Sequence, residues 1–83
     1  MPSYDVLFGP LAKASIGELP EHAVRALQQQ LIALAEDPST MQAAEGKPHS
    51  QSAVFGPGEQ GMIFATVKDD HKVIIVDLVI WAG

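Results

Sequence analysis

Val73-Ile74-Ile75-Val76-Asp77-Leu78-Val79-Ile80-Trp81 is the stretch that decides how the chain is read. Eight of its nine residues are apolar, and most are valine or isoleucine. Such side chains are stiff about χ1 and favour extended backbone. The run is far short of the roughly 20 residues of a membrane helix, and it lacks the polar face of a surface helix. A strand covered on both faces needs this kind of continuous apolar run. We therefore expect an inner strand over 73–81 with the rest of the chain packed against it. Asp77 is the one oddity in the run. A buried, unpaired carboxylate is expensive, so Asp77 pairs with Lys13, Lys72 or a hydroxyl, takes up a proton, or reaches solvent because the strand end is open on that face.

Working back from this run, Lys68-Asp69-Asp70-His71-Lys72 reads as a polar hairpin and Met62–Val67 as a strand. Gly56-Pro57-Gly58-Glu59-Gln60-Gly61 is a turn, preceded by a short strand over Ser52–Phe55. It is no phosphate loop, because the Lys-Ser/Thr pair and the following helix are missing. Hairpin-length loops joining three consecutive strands predict an antiparallel meander. Pro38 to Gln51 is polar and small, and reads as a long loop with a helical turn weighed at Met41–Glu45.

In the first half, Tyr4, Val6 and Phe8 alternate with Ser3, Asp5 and Leu7, the pattern of a strand with one face better buried. Gly9-Pro10 ends it. Leu11–Ile16 suits a short helix, with Pro10 in its first turn and Gly17 as its C-terminal cap. A longer helix over roughly 20–36 carries Val24, Leu27, Leu31 and Leu34 on one stripe and stops at Asp37-Pro38. The stripe is too short for a coiled-coil seam and reads as core packing. The order is β-α-α-β-β-β. It predicts one α+β domain over 1–83, a two-layer sandwich with a mostly antiparallel four-stranded sheet and a helical hairpin on one face.

Lys plus Arg is 5 against 10 for Asp plus Glu, a formal charge of −5. Such a domain repels phosphate backbones unless its few cations cluster, so nucleic acid is an unfavoured partner. Without cysteine there is no disulfide or thiolate chemistry. Neither a signal segment nor a membrane span is evident, so the expected location is the cytoplasm. Asp69, Asp70 and His71 are adjacent in a hairpin with no further ligand at a useful spacing, so we expect no metal, and no cofactor.

Several landmarks recur together: Tyr4-Asp5-Val6-Leu7-Phe8, the helical hairpin, Leu34-Ala35-Glu36-Asp37-Pro38 (close to an L-x-x-D-P pattern), Gly58-Glu59-Gln60-Gly61-Met62-Ile63-Phe64, Asp69-Asp70 and the last apolar strand. Their order and spacing resemble the RelE/ParE toxin superfamily of bacterial type II toxin–antitoxin modules over nearly the whole chain. Many members of that family are ribosome-dependent endoribonucleases that cut mRNA. Others inhibit DNA gyrase. Both kinds are neutralised by an antitoxin that wraps the toxin, so the resemblance implies an antitoxin protein as partner. It also implies where nuclease residues should stand. In the nucleases a G-x-Y-R pattern supplies an arginine for the scissile phosphate; here Gln60 takes the tyrosine place and Gly61 the arginine place. Lysines often line the second strand; here Ser52 and Val54 stand there. The last strand commonly runs into basic residues or histidine, whereas this one runs into Trp81-Ala82-Gly83, and no arginine follows Arg25.

The resemblance and the missing cations together imply a toxin-like component without ribonuclease activity that acts through protein contacts. Whether it is an enzyme is left open, with the absences weighing against it. The alternative is an mRNA endoribonuclease with Glu45 or His49 as acid and base and Lys47 holding phosphate; the plainer reading of those three is an exposed polar loop. A third reading is an unrelated α+β domain that shares the topology alone. Phe55, Met62 and Phe64 are the partner-binding candidates. Alternation puts Met62 and Phe64 on one sheet face and Ile63 and Ala65 on the other. One helical layer covers one face, so the other stays apolar until a partner arrives, unless the loop 39–51 folds over it. A homodimer through an edge strand is the other partner considered. If Lys13, Arg25, Lys47, Lys68, Lys72 and the histidines converge on one concave face, the nuclease reading gains.

Overall fold

The computed structural model describes residues 4–43 and 50–82. β1 (Asp5–Phe8) leads through Gly9 into α1 (Pro10–Gly17) and α2 (Glu21–Glu36). A 3-10 turn at Pro38–Thr40 is followed by β2 (Gln42–Ala43) and β3 (Ser50–Phe55). A second 3-10 turn at Pro57–Glu59, β4 (Gly61–Lys68) and β5 (Val73–Trp81) complete the chain. All the strands form one sheet in the order β1-β5-β4-β3-β2. β5 runs parallel to β1 and antiparallel to β4, and the remaining pairs are antiparallel. The apolar run 73–81 is therefore an inner strand, and the helical hairpin lies on one face of an α+β sandwich as the sequence pattern predicts.

One strand is additional. Gln42–Ala43 pairs with Ser52 and Gln51 of β3, within the stretch read as a loop. The helical turn weighed at Met41–Glu45 gives way to this strand over its first half; Ala44 and Glu45 lie outside the described residues. The chain turns toward β2 because the Asp37 carboxylate accepts the Ser39 N–H at 3.2 Å, capping the 3-10 turn.

α2 buries Ala23, Leu27, Leu31 and Leu34, with Val24 half-buried at the margin of the stripe. These meet Ile63 and Ala65 of β4 and Ile74, Val76 and Val79 of β5 in one core, which Ala12 of α1, Met41 and Phe55 complete. Each large side chain sealed there contributes roughly 1.5–3 kcal/mol by leaving water. One backbone bond stitches the layers, Tyr4 N–H to the Ala35 carbonyl at 2.8 Å, while Gly9 N–H to the Val76 carbonyl at 2.9 Å carries the β1–β5 ladder one residue further.

Asp77 explains which residues of β5 enter that core. Phe64 faces Leu78 and Ala65 faces Val76, so Asp77 is the extra residue of a β-bulge. Ahead of the bulge Ile74 and Val76 are buried; beyond it Val79 is, with Trp81 packed against the core. One inserted residue reverses the side on which every later side chain falls. The carboxylate itself stays exposed and accepts the Thr66 hydroxyl at 2.9 Å. Two of the alternatives posed for it thus hold together: a hydroxyl partner, and a strand open on that side.

Candidate functional site on the open sheet face

The face turned away from the helices can be built row by row from the strand register. Val54, Met62 and Ile80 form one row, and Ser52, Phe64 and Leu78 the next. Ser50, Thr66, Ile75 and Leu7 follow, with Asp77 bulging beside them, and Lys68, Val73 and Asp5 come last. A sheet with one solvated face usually turns polar residues outward. Here Leu7 is 53% exposed, Ile80 46%, and Met62 and Val54 38% each, while Phe64, Ile75 and Leu78 are half-buried between them. Strands lie about 4.8 Å apart and rise about 3.3 Å per residue. The apolar band thus crosses the sheet diagonally for roughly 20 Å, from Val54 on β3 to Leu7 on β1.

Met62 and Phe64 stand on this band, on the face that alternation assigned them. Phe55, the third partner-binding candidate, does not stand on it: it is 4% exposed, in the core. Its ring stacks on Trp81, with centroids 5.7 Å apart. The physical reason is its cross-strand partner. Phe55 faces Gly61, and the ring fills the space that a side chain on Gly61 would take. A Cβ added there would fall 2.3 Å from the ring. The position where the resemblance puts a nuclease arginine therefore admits no side chain while Phe55 keeps its place. The two positions where it puts lysines carry the Ser52 hydroxyl and the Val54 methyls.

The cations among the described residues are spread over both layers and both ends of the molecule. Arg25 pairs with Glu21 at 3.1 Å on the exposed surface of α2. His22 sets its ring edge-on to Trp81, with centroids 5.6 Å apart. Lys13 borders a cavity of about 330 Å³ between the helices and β1, lined with Phe8, Ile16, Val24 and Leu27. Lys68 ends the open face, and Lys72 holds its ammonium 5.2 Å above the Tyr4 ring. His71 lies 3.5 Å from Asp70. Glu45, Lys47 and His49 lie outside the described residues. No group of three His, Cys, Asp or Glu among the described residues could hold a metal ion.

At the hairpin end, a shallow cavity of about 410 Å³ is bordered by Tyr4, Glu36, Gln51, Asp69 and Lys72. The Tyr4 hydroxyl donates to Asp69 Oδ1 at 2.6 Å. That bond, with partial burial and the nearby negative charge, raises the phenol above its usual pKa. The cavity's own lysine already covers its aromatic ring. No described helix is long and apolar enough to cross a membrane.

No protein-family model matches the sequence, and no curated protein matches it. Solved structures do. The chain is similar to one in the toxin–antitoxin complex RelBE2 from Mycobacterium tuberculosis, with a TM-score of 0.83 at 19% identity over 98% of this chain and 93% of that one. It is similar to one in the intact Escherichia coli RelBE toxin–antitoxin complex, with a TM-score of 0.83 at 19% identity over 98% and 99%. The archaeal RelE–RelB complex from Pyrococcus horikoshii gives a TM-score of 0.74 at 17% identity over 98% and 97%. At such identities the likeness is one of fold. The α+β topology, with its helical hairpin and mostly antiparallel sheet, is RelE/ParE-like.

Proposed function

We propose that this chain is the toxin-type component of a toxin–antitoxin pair, acts through protein contacts instead of RNA cleavage, and is held by an antitoxin. The fold likeness supports the first part, since the similar chains from Mycobacterium tuberculosis and Escherichia coli come from complexes described as toxin–antitoxin complexes. The observation that carries the second is the apolar band on the open face, where Ser52, Val54 and Met62 offer no cation. Cleaving RNA requires neutralising a phosphate whose charge grows in the transition state, and oriented cationic donors do that work. An apolar surface carrying Asp77, on a chain of net charge −5, does the reverse. Apolar side chains exposed in a contiguous band suit a protein surface.

The test is induced expression in a bacterial host, scoring growth and the integrity of ribosome-bound mRNA, with and without the adjacent gene. Growth arrest with intact mRNA, relieved by the adjacent gene product, is the expected result. Cleaved mRNA, protected by Glu45→Ala, Lys47→Ala or His49→Ala, overturns the non-nuclease reading in favour of a site in the polar loop. Unimpaired growth overturns the toxin reading.

A further inference from the structure

The helical hairpin is not fully sealed onto β1. α1 buries one residue completely, Ala12, and Ile16 one turn later is only half-buried. Val24 of α2 and Phe8 of β1 are half-buried too. Together with Leu27 and Leu31 they line the cavity of about 330 Å³ between the two helices and the strand. Two polar side chains border this apolar space, Lys13 and Gln28, and both are exposed. Lys13 makes no ion pair among the described residues. No carboxylate lines the cavity, although the chain carries 10 Asp and Glu against 5 Lys and Arg. Glu21, the acidic residue of α2 closest in sequence to Val24, is held by Arg25 at 3.1 Å.

An apolar wall with a lone ammonium at its mouth has the chemistry to hold a carboxylate that carries a hydrocarbon tail. The tail leaves water. The head group meets the cation and accepts from the Gln28 amide. Water is a poor occupant, since a bound water needs about two to four polar partners. A protein partner fits no better: seven residues line the cavity, against about 20–30 residues a side in a stable protein interface.

We propose that this cavity binds a free medium-chain fatty acid, its carboxylate paired with Lys13 and its tail along Ile16, Val24 and Leu27. The volume sets the class. Small-molecule sites span roughly 300–1,000 Å³, and this one stands at the lower end. At about 30 Å³ for a group the size of a water molecule, it takes a carboxylate and about eight carbons. A ligand here touches α1, α2 and β1 at once. It therefore ties the hairpin to the sheet, and by mass action raises the melting temperature as its concentration rises. The site lies in the layer opposite the open face, so the proposal goes beyond the toxin reading and does not depend on it.

Octanoate is the probe, added to the full chain at low salt and followed by methyl resonances. It should move the signals of Ile16, Val24 and Leu27 and leave that of Met62, on the open face, in place. It should bind at least about fivefold tighter than butanoate, because fewer methylenes of the shorter acid leave water. It should also bind at least about fivefold tighter than octylammonium, which has the same tail and the opposite charge. Lys13→Gln removes the charge at an exposed position. That change should weaken octanoate about threefold to fivefold, as loss of an exposed ion pair does, and leave the melting temperature of the unliganded chain unchanged. Gln28→Glu sets a carboxylate at the other rim and should narrow the preference for octanoate over octylammonium. Equal affinities for the two head groups, or an octanoate affinity that survives Lys13→Gln, overturn the proposal. So do unmoved Ile16, Val24 and Leu27 signals at about 10 mM octanoate. Shifts at Met62 without shifts at Ile16 overturn it too, since they put the tail on the open face.

Discussion

Ile74 and Ile80 share a strand and a chemistry, yet Ile74 is sealed beneath the helices and Ile80 is 46% exposed. Val76 and Leu78 repeat the contrast less sharply. On this sheet hydrophobicity does not decide which side chains enter the core; position relative to the Asp77 bulge does. The covered face is finished within the chain: α2 supplies a stripe, Phe55 fills the gap over Gly61, and Trp81 closes the end. The open face has equally apolar residues and nothing described over them. A single isolated leucine at the surface means little, but a contiguous band across four strands is the feature on which the protein-contact proposal rests.

The largest effect should come from placing a carboxylate on either side of the bulge. Val76→Asp buries an unpaired charge beneath α2 and should abolish cooperative thermal unfolding followed by near-ultraviolet circular dichroism. Leu78→Asp puts the same charge on the open face and should still melt cooperatively. Equal melts for the two would break the claim that the bulge separates the two faces. Next in size is the paired comparison on β5 itself. Ile74→Ala should cost about 3 kcal/mol in urea unfolding, as buried isoleucine truncations do. Ile80→Ala should cost about 0.5 kcal/mol or less, as exposed substitutions do. Comparable costs at the two positions would erase the distinction.

Much of this was legible because it is periodic. An apolar run bounded by a hairpin reads as an inner strand, and leucines at helical spacing read as a stripe, whatever surrounds them. What escaped depends on register between strands. β2 pairs through its backbone with Ser52 and Gln51, so it needs no side-chain pattern of its own. Asp77 is conspicuous in the sequence, but its role as a bulge exists only in the offset between β4 and β5. Phe55 looks like a surface candidate until it is set opposite a glycine. Of the open face, alternation within β4 finds Met62 and Phe64. Leu7, Val54 and Ile80 come from three other strands and join them only once the sheet order is known. The polar loop with Glu45, Lys47 and His49 lies outside the described residues, and its reading stays that of the sequence.

The smallest effect tests how the covered face is sealed at the hairpin end. Tyr4 packs against the core, bonds through its N–H to the end of α2, and donates its hydroxyl to Asp69 before β5 begins. The Asp69 bond favours the protonated phenol and so raises its pKa above 10 in the folded chain. A group whose folded pKa is raised stabilises the fold fully below its unfolded value, and that contribution is lost as pH rises through the folded value. The parent should therefore be slightly more stable than Tyr4→Phe from neutral pH to about 9, and should lose that advantage above pH 10. Urea midpoints measured across that range for both chains provide the check. An advantage that persists unchanged past pH 11 would mean that Tyr4 holds the rim by ring packing under the Lys72 ammonium, with the hydroxyl incidental.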